Sequence, residues 1–412
     1  MRDLLTAKDR PAAVLSIGLP LLALVAWIPQ FLSLRAISAD QVWENFAIAA
    51  ACQSGRFQLG WVGELDNLAS MGSFTGPIPA RLVSWLSCQL ARHAQLYPAQ
   101  AFLIVGLVLT FLLTLVACRH IQFRLETSLL VAFLITTAPC SFSRVGHLSL
   151  AMLWPVVPGL AACYVLWRVM QKRAGGWSGL AQGALAGLLC FPSQDYYLVF
   201  LILQLIACFG LVLFLATTRT SDLAILGRIA GAGLFFVAGF GVVMLLAESP
   251  NLLAVSIGGP PMAWVVPRYP TEQFQYGLLP MTWLISSPWH ALVNQSFATA
   301  GLPTGYESYW MSRGSLLIPI AWLAALWQLA ARRSFEQQMA WLQSPIPLLA
   351  LLLGLVTFLA LFCMTMGGLG TLFAVFVSPV LRSLNRYTVF VYGASVLVLA
   401  SLLDASLRRR LP

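Results

Sequence analysis

The run AQAFLIVGLVLTFLLTLVAC, Ala99 to Cys118, is twenty residues long and carries no charge. At about 1.5 Å per helical residue it reaches about 30 Å, the thickness of a bilayer's hydrocarbon core. A barrel strand alternates apolar and polar residues over about ten positions, and this run does not alternate. It therefore reads as a membrane-crossing α-helix, closed by Arg119 and His120. The rest of the chain agrees. Of 412 residues 59% are hydrophobic and 9% charged, with a mean hydropathy of +0.82. Soluble domains carry about 25% charged residues, so a soluble enzyme, a disordered chain and a disulfide-framed secreted domain are excluded.

Similar runs predict an all-α polytopic fold with about ten spans. They are Ala12–Leu34, Ala99–Cys118, Thr127–Cys140, Leu148–Val169, Leu180–Cys190, Tyr196–Thr217, Gly227–Ala247, Ser315–Ala331, Ile346–Met366 and Val389–Leu403. The first is too long for a cleavable leader's core and reads as a retained helix. Segments around Tyr276–Ser286 and Thr371–Val380 are broken by Gly or Pro and suit re-entrant or interfacial helices. Residues 1–412 are expected to form a single transmembrane domain with two long outer loops, 35–98 and 248–314.

Orientation follows from the basic residues. Of 24 Lys and Arg, 15 fall in short turns and tails on one side, among them Arg2, Arg10, Arg119, Arg168, Lys172, Arg228 and Arg408. The positive-inside rule makes that side cytoplasmic, with both termini. The expected location is the inner (plasma) membrane, with the functional face periplasmic or extracellular. The net charge of +10 is thus a set of topology signals, and nucleic-acid binding is not expected.

Eight cysteines are scattered with no CxxC or Cys/His cluster, so no structural metal site is indicated. Cys52 and Cys88 share the first outer loop. They pair if the loop faces an oxidising space and are free thiols otherwise. Asn294-Gln295-Ser296 matches a glycosylation acceptor.

The chemistry gathers on the outer side. Asp40 follows the first span almost at once, where a carboxylate can take a proton from a hydroxyl or hold a divalent metal, or simply cap a helix. Glu64 and Asp66 form an acidic patch, either a paired-carboxylate site or a solvated loop. An amphipathic stretch, Ala80–Leu96, follows. Arg144 and His147 stand three apart at the end of the third span, suited to one phosphate or to snorkelling. Pro192 breaks the chain before Asp195, Tyr196 and Tyr197, readable as a cap with belt tyrosines or as a sugar-stacking platform. Arg382 and Arg386 are spaced i, i+4 before Tyr387, as in a phosphate clamp or an anionic-lipid contact. In the second loop His290 and Glu307 lie among Trp264, Trp283, Trp289 and Trp310, suiting carbohydrate or a membrane interface.

The order of these elements resembles a family. An early loop Asp, an Arg-x-Gly-His-x-x-Leu element (Arg144–Leu150), a Pro-then-Tyr-Tyr helix start and Leu-Arg-x-Leu-x-Arg-Tyr (Leu381–Tyr387) are similar to the C-type (GT-C) superfamily of membrane glycosyltransferases. Within it they resemble the YfhO-related branch of bacterial integral membrane proteins. The resemblance implies a GT-C-like fold and transfer of a sugar from a polyprenyl-phosphate donor to a glycan, lipid or envelope-polymer acceptor. It implies Asp40 as base or metal ligand, with Arg144, His147, Arg382 and Arg386 near phosphate or sugar. A divalent cation, Mg or Mn, is the conditional cofactor. Gln41 stands where many members carry a second acid, and no soluble C-terminal domain is seen. Membrane lipids and envelope-glycan assembly proteins are the other expected partners. The competing readings are a flippase or transporter of a lipid-linked sugar and a non-catalytic assembly subunit.

Overall fold

The computed structural model describes residues 10–33, 52, 78–142, 152–173, 175–191, 195–218, 220–256, 316–330, 345–365, 368–376 and 384–410. Among them the chain is helical and no β-strand occurs. The helices are α1 (Arg10–Ala26), α2 (Ile28–Ser33), α3 (Ile78–Ala94), α4 (Pro98–His120), α5 (Leu125–Thr136), α6 (Pro139–Phe142), α7 (Val156–Lys172) and α8 (Gly176–Leu189). There follow α9 (Asp195–Thr217), α10 (Leu223–Ser256), α11 (Leu317–Ala330), α12 (Pro345–Leu359), α13 (Leu369–Phe376) and α14 (Thr388–Arg410). A π-helical turn, Ala360–Met364, extends α12, and a 3₁₀ turn, Leu384–Tyr387, leads into α14.

Four of the described helices are long and apolar enough to cross a membrane: Pro98–His120, Tyr197–Thr217, Leu223–Ala247 and Thr388–Arg408. Shorter apolar helices include Val14–Ala26, Leu125–Ser141, Leu317–Gln328 and Leu348–Met364. Large apolar side chains such as Leu112, Ile206, Leu234, Leu245 and Leu323 are exposed on these helices. Lipid tails are the solvent that such faces require, and the protein is an α-helical membrane protein.

Two boundaries differ from those the sequence suggests. The first apolar run is not one rod. It breaks at Trp27, whose indole Nε1 donates to the Thr136 carbonyl at 2.9 Å. Pro29 in the next turn cannot donate, which favours a break there. Residue 248, the expected start of the second outer loop, lies inside α10, which continues to Ser256. The described part of the segment expected to be a re-entrant or interfacial helix near Thr371 is the eight-residue helix α13.

The chain divides into two compact units. The first comprises Met1–Pro158, Leu180–Leu198 and Val237–Val265. Its core packs Trp27, Val83, Phe102, Leu103, Leu107, Met152 and Trp154 together. Gly106 is needed there, since a Cβ would overlap the Met152 side chain. The amphipathic stretch near residue 80 forms α3. Val83, Ser87, Cys88 and Ala91 face inward, while Leu82, Trp85 and Leu86 form an exposed apolar stripe. Cys88 pairs with Cys52 in a disulfide, and Arg92 on the same helix donates to the Cys52 carbonyl.

The second unit comprises Gly159–Gly179, Val199–Phe236 and Val266–Pro412. Within it α7 and α9 run parallel. Gly159 meets Leu201, the Cys163 carbonyl accepts from Cys208 Sγ at 3.4 Å, and Met170 and Phe209 both reach Gly233. A Cβ on Gly159 would overlap the end of the Leu201 side chain, so a larger residue there would have to push Leu201 aside. Helices α11 and α12 both pack on α14, and the Trp322 indole donates to Thr357 Oγ1 at 3.2 Å. The π turn that ends α12 packs on the 3₁₀ turn that begins α14, so these two helices run antiparallel.

Candidate functional site

One end of the second unit carries two of the expected site residues. The 3₁₀ turn Leu384–Tyr387 carries Arg386 and Tyr387. The helix α14 begins after it, at Thr388. Arg382 lies outside the described residues.

Three rings hold the turn. Phe200 of α9 meets Tyr387 at 5.2 Å with planes at 83°, and Phe390 at 6.1 Å with planes at 82°. Tyr387 and Phe390 lie 5.5 Å apart. Edge-to-face contacts of this kind put the positive ring edge on the negative face, worth about 0.5–1.5 kcal/mol each beyond burial. All three rings are fully buried, and Arg386 beside them is 7% exposed.

The surroundings of these rings are not wholly apolar. Gln204 stands one helical turn beyond Phe200 and is fully buried, and Thr388 is buried next to Tyr387. The Gln204 amide lies beside the Tyr387 hydroxyl. Among the described residues, neither the Gln204 amide, the Tyr387 hydroxyl nor Thr388 Oγ1 makes a hydrogen bond of standard geometry. Each buried polar group left in that state costs about 1–3 kcal/mol. Burial pushes the Tyr387 phenol well above its ordinary pKa, with a smaller push from Cys163, against which Gln204 acts. The phenol is thus a neutral hydroxyl, able to donate and to accept. The wall on the α12 side is the π turn Ala360–Met364, a form frequent at functional sites.

A small apolar cavity of about 10 Å³ lies in the same unit, lined by Cys163, Tyr164, Trp167, Cys208 and leucines of α12. It has room for about one water but offers no polar wall to hold it.

The remaining expected site residues are not gathered here. Asp195 is the first residue of α9 and Tyr196 the second, as a chain restarting after Pro192 requires. Tyr197 is fully buried, so its ring is neither a lipid-facing belt residue nor an open stacking platform. Asp40, Glu64, Asp66, Arg144, His147, His290 and Glu307 lie outside the described residues. So does the segment around Tyr276–Ser286. Among the described residues no three His, Cys, Asp or Glu side chains come together as a metal site.

Sequence reasoning passed over Gln204. Its signal was present: an amide set alone in the run Leu198–Ala207 needs a partner inside the membrane. Comparison with known proteins gives no match among family models, curated proteins or solved structures.

Proposed function

We propose that the protein is a GT-C-like membrane glycosyltransferase with about ten spans, moving a sugar from a polyprenyl-phosphate donor to an acceptor hydroxyl at the outer face. The observation that carries this reading is Arg386, a nearly buried guanidinium at the mouth of a membrane-crossing helix, beside the neutral phenol of Tyr387. A charge set so close to hydrocarbon is costly and marks a site by default, and a guanidinium fork matches phosphate.

Orientation rests on two supports. A disulfide such as Cys52–Cys88 forms and persists in oxidising compartments, which favours a periplasmic or extracellular first loop. In the second unit Gly159 of α7, Phe200 of α9 and Phe390 of α14 meet at one end, as expected if all three helices enter from the same side. The shorter apolar helices supply the spans beyond the four long ones.

In the reaction Asp40 takes the proton of the acceptor hydroxyl as its oxygen bonds to the anomeric carbon. The bond from that carbon to the phosphate oxygen breaks, and polyprenyl phosphate leaves. Arg144, Arg382 and Arg386 meet the charge developing on the leaving phosphate, and His147 orients it.

The test is turnover by purified protein in lipid nanodiscs supplied with a radiolabelled polyprenyl-phosphate sugar and a glycan acceptor. Release of polyprenyl phosphate with label in the acceptor supports the reading, and Asp40→Asn should lower the rate about 10²–10⁴-fold. A folded Asp40→Asn protein with undiminished transfer would refute the base. Movement of intact donor across the bilayer with no covalent change would instead identify a flippase.

A further inference from the structure

The polar group that the proposed reaction leaves unused is Gln204. It sits seven residues into the span Tyr197–Thr217, about 10 Å along the helix axis from Tyr197. Its neighbours on α9, Leu203, Leu205 and Ile206, are apolar, and Leu205 is buried beside it. Nothing in local helix formation calls for an amide there. The fold turns this side chain inward, fully buried, one turn from Phe200, the residue that touches the Tyr387 ring. The hydroxyl beside the amide belongs to Tyr387, the last residue of the 3₁₀ turn, and the residue before it is Arg386.

We infer that Gln204 is a positioning residue: its amide engages the Tyr387 hydroxyl and thereby fixes the turn from which Arg386 meets an anionic phosphate headgroup. The inference rests on the phosphate-binding reading of Arg386 above and extends it to a second helix. The geometry supports the linkage in three ways. The two polar groups are fully buried, Gln204 one turn from the ring that touches Tyr387, and neither bonds to any other group, so each is the other's natural partner. A 3₁₀ turn of four residues lacks the hydrogen-bond regularity to hold itself in register. The π turn at Ala360–Met364, which packs on the 3₁₀ turn, is likewise irregular, so a polar contact from α9 adds to the hold that Phe200 has on the turn.

The experiment measures binding of a short-chain polyprenyl phosphate to the full-length protein in nanodiscs, with the uncharged polyprenol as control. Gln204→Leu, close in size, and Tyr387→Phe, which keeps the ring against Phe200, are made singly and together. Each single variant should weaken polyprenyl phosphate binding about tenfold and leave polyprenol binding unchanged. The double variant should be no weaker than the weaker single one, because both remove the same contact. A purely structural role would move both lipids alike. Unchanged phosphate binding in Gln204→Leu, or additive losses, would overturn the inference while leaving the Arg386 reading intact. Equal wild-type affinity for phosphate and alcohol would overturn both. If Gln204→Leu fails to fold, Tyr387→Phe alone decides, since loss of phosphate preference is expected there too.

Discussion

Tyr387 presents its ring edge-on to Phe200, with centroids 5.2 Å apart, so a residue just outside one membrane helix is anchored by a residue inside another. Phe200 also meets Phe390. Replacing Phe200 by Ala should therefore empty a shared niche and destabilise the protein by about 3 kcal/mol. Denaturant unfolding in mixed micelles measures this, and a loss under about 1 kcal/mol would show the niche collapses freely.

The buried phenol sets a pH dependence. Its pKa is higher in the folded protein than in the unfolded chain, so the unfolded chain loses its proton first as pH rises. The Tyr387 contribution is fully present below the unfolded tyrosine pKa of about 10 and declines above it. Thermal midpoints measured from pH 7 to 11 should fall more steeply in the native protein than in Tyr387→Phe. Parallel curves would contradict this.

The Cys52–Cys88 bridge closes a segment with a sequence separation of 36 residues. Breaking it with reductant, or by Cys88→Ser, should cost about 3 kcal/mol, mainly through the freedom returned to the unfolded chain. Thiol counting gives a second measure. Two additional sulfhydryls should become reactive after reduction, from the outer side of intact cells if the first loop lies there.

Two glycines of α10 make a matched pair. A Cβ on Gly239 would overlap the Leu180 carbonyl oxygen, whereas one on Gly241 meets nothing within 4 Å. Gly239→Ala should cost about 1–3 kcal/mol by forcing α8 and α10 apart. Gly241→Ala should be neutral or gain up to ~1 kcal/mol from helix propensity. The difference between the two unfolding midpoints is the readout.

Arg386→Ala and Arg386→Lys separate charge from shape. Both should weaken polyprenyl phosphate binding, and lysine should recover only part of the loss, because an ammonium lacks the planar fork. Full recovery by lysine would show that charge alone suffices.

Much of the fold is legible in the sequence because lipid imposes one rule. Apolar runs must satisfy their own backbone, so they become helices, and every run named from the sequence overlaps one. What escapes that rule is local. The break at Trp27 depends on an indole reaching the Thr136 carbonyl 109 positions away. The 3₁₀ turn before Thr388 packs against the π turn of another helix, a contact that no local pattern announces. Arg386 and Tyr387 stand out because polar residues are conspicuous at a helix mouth. Gln204 is less conspicuous, since a single amide among leucines scarcely alters the hydropathy of a 23-residue helix. Its meaning depends on which helix faces it.

The π turn at Ala360–Met364 has an implication of its own. Such a turn holds one residue more than regular α winding, and each α-helical residue advances the azimuth by about 100°. Excising a single amino acid within it would restore uniform winding and leave Thr365 and everything after it on nearly the same bearing. The same deletion a turn or two earlier, in the regular part of α12, would rotate the downstream chain by about 100°.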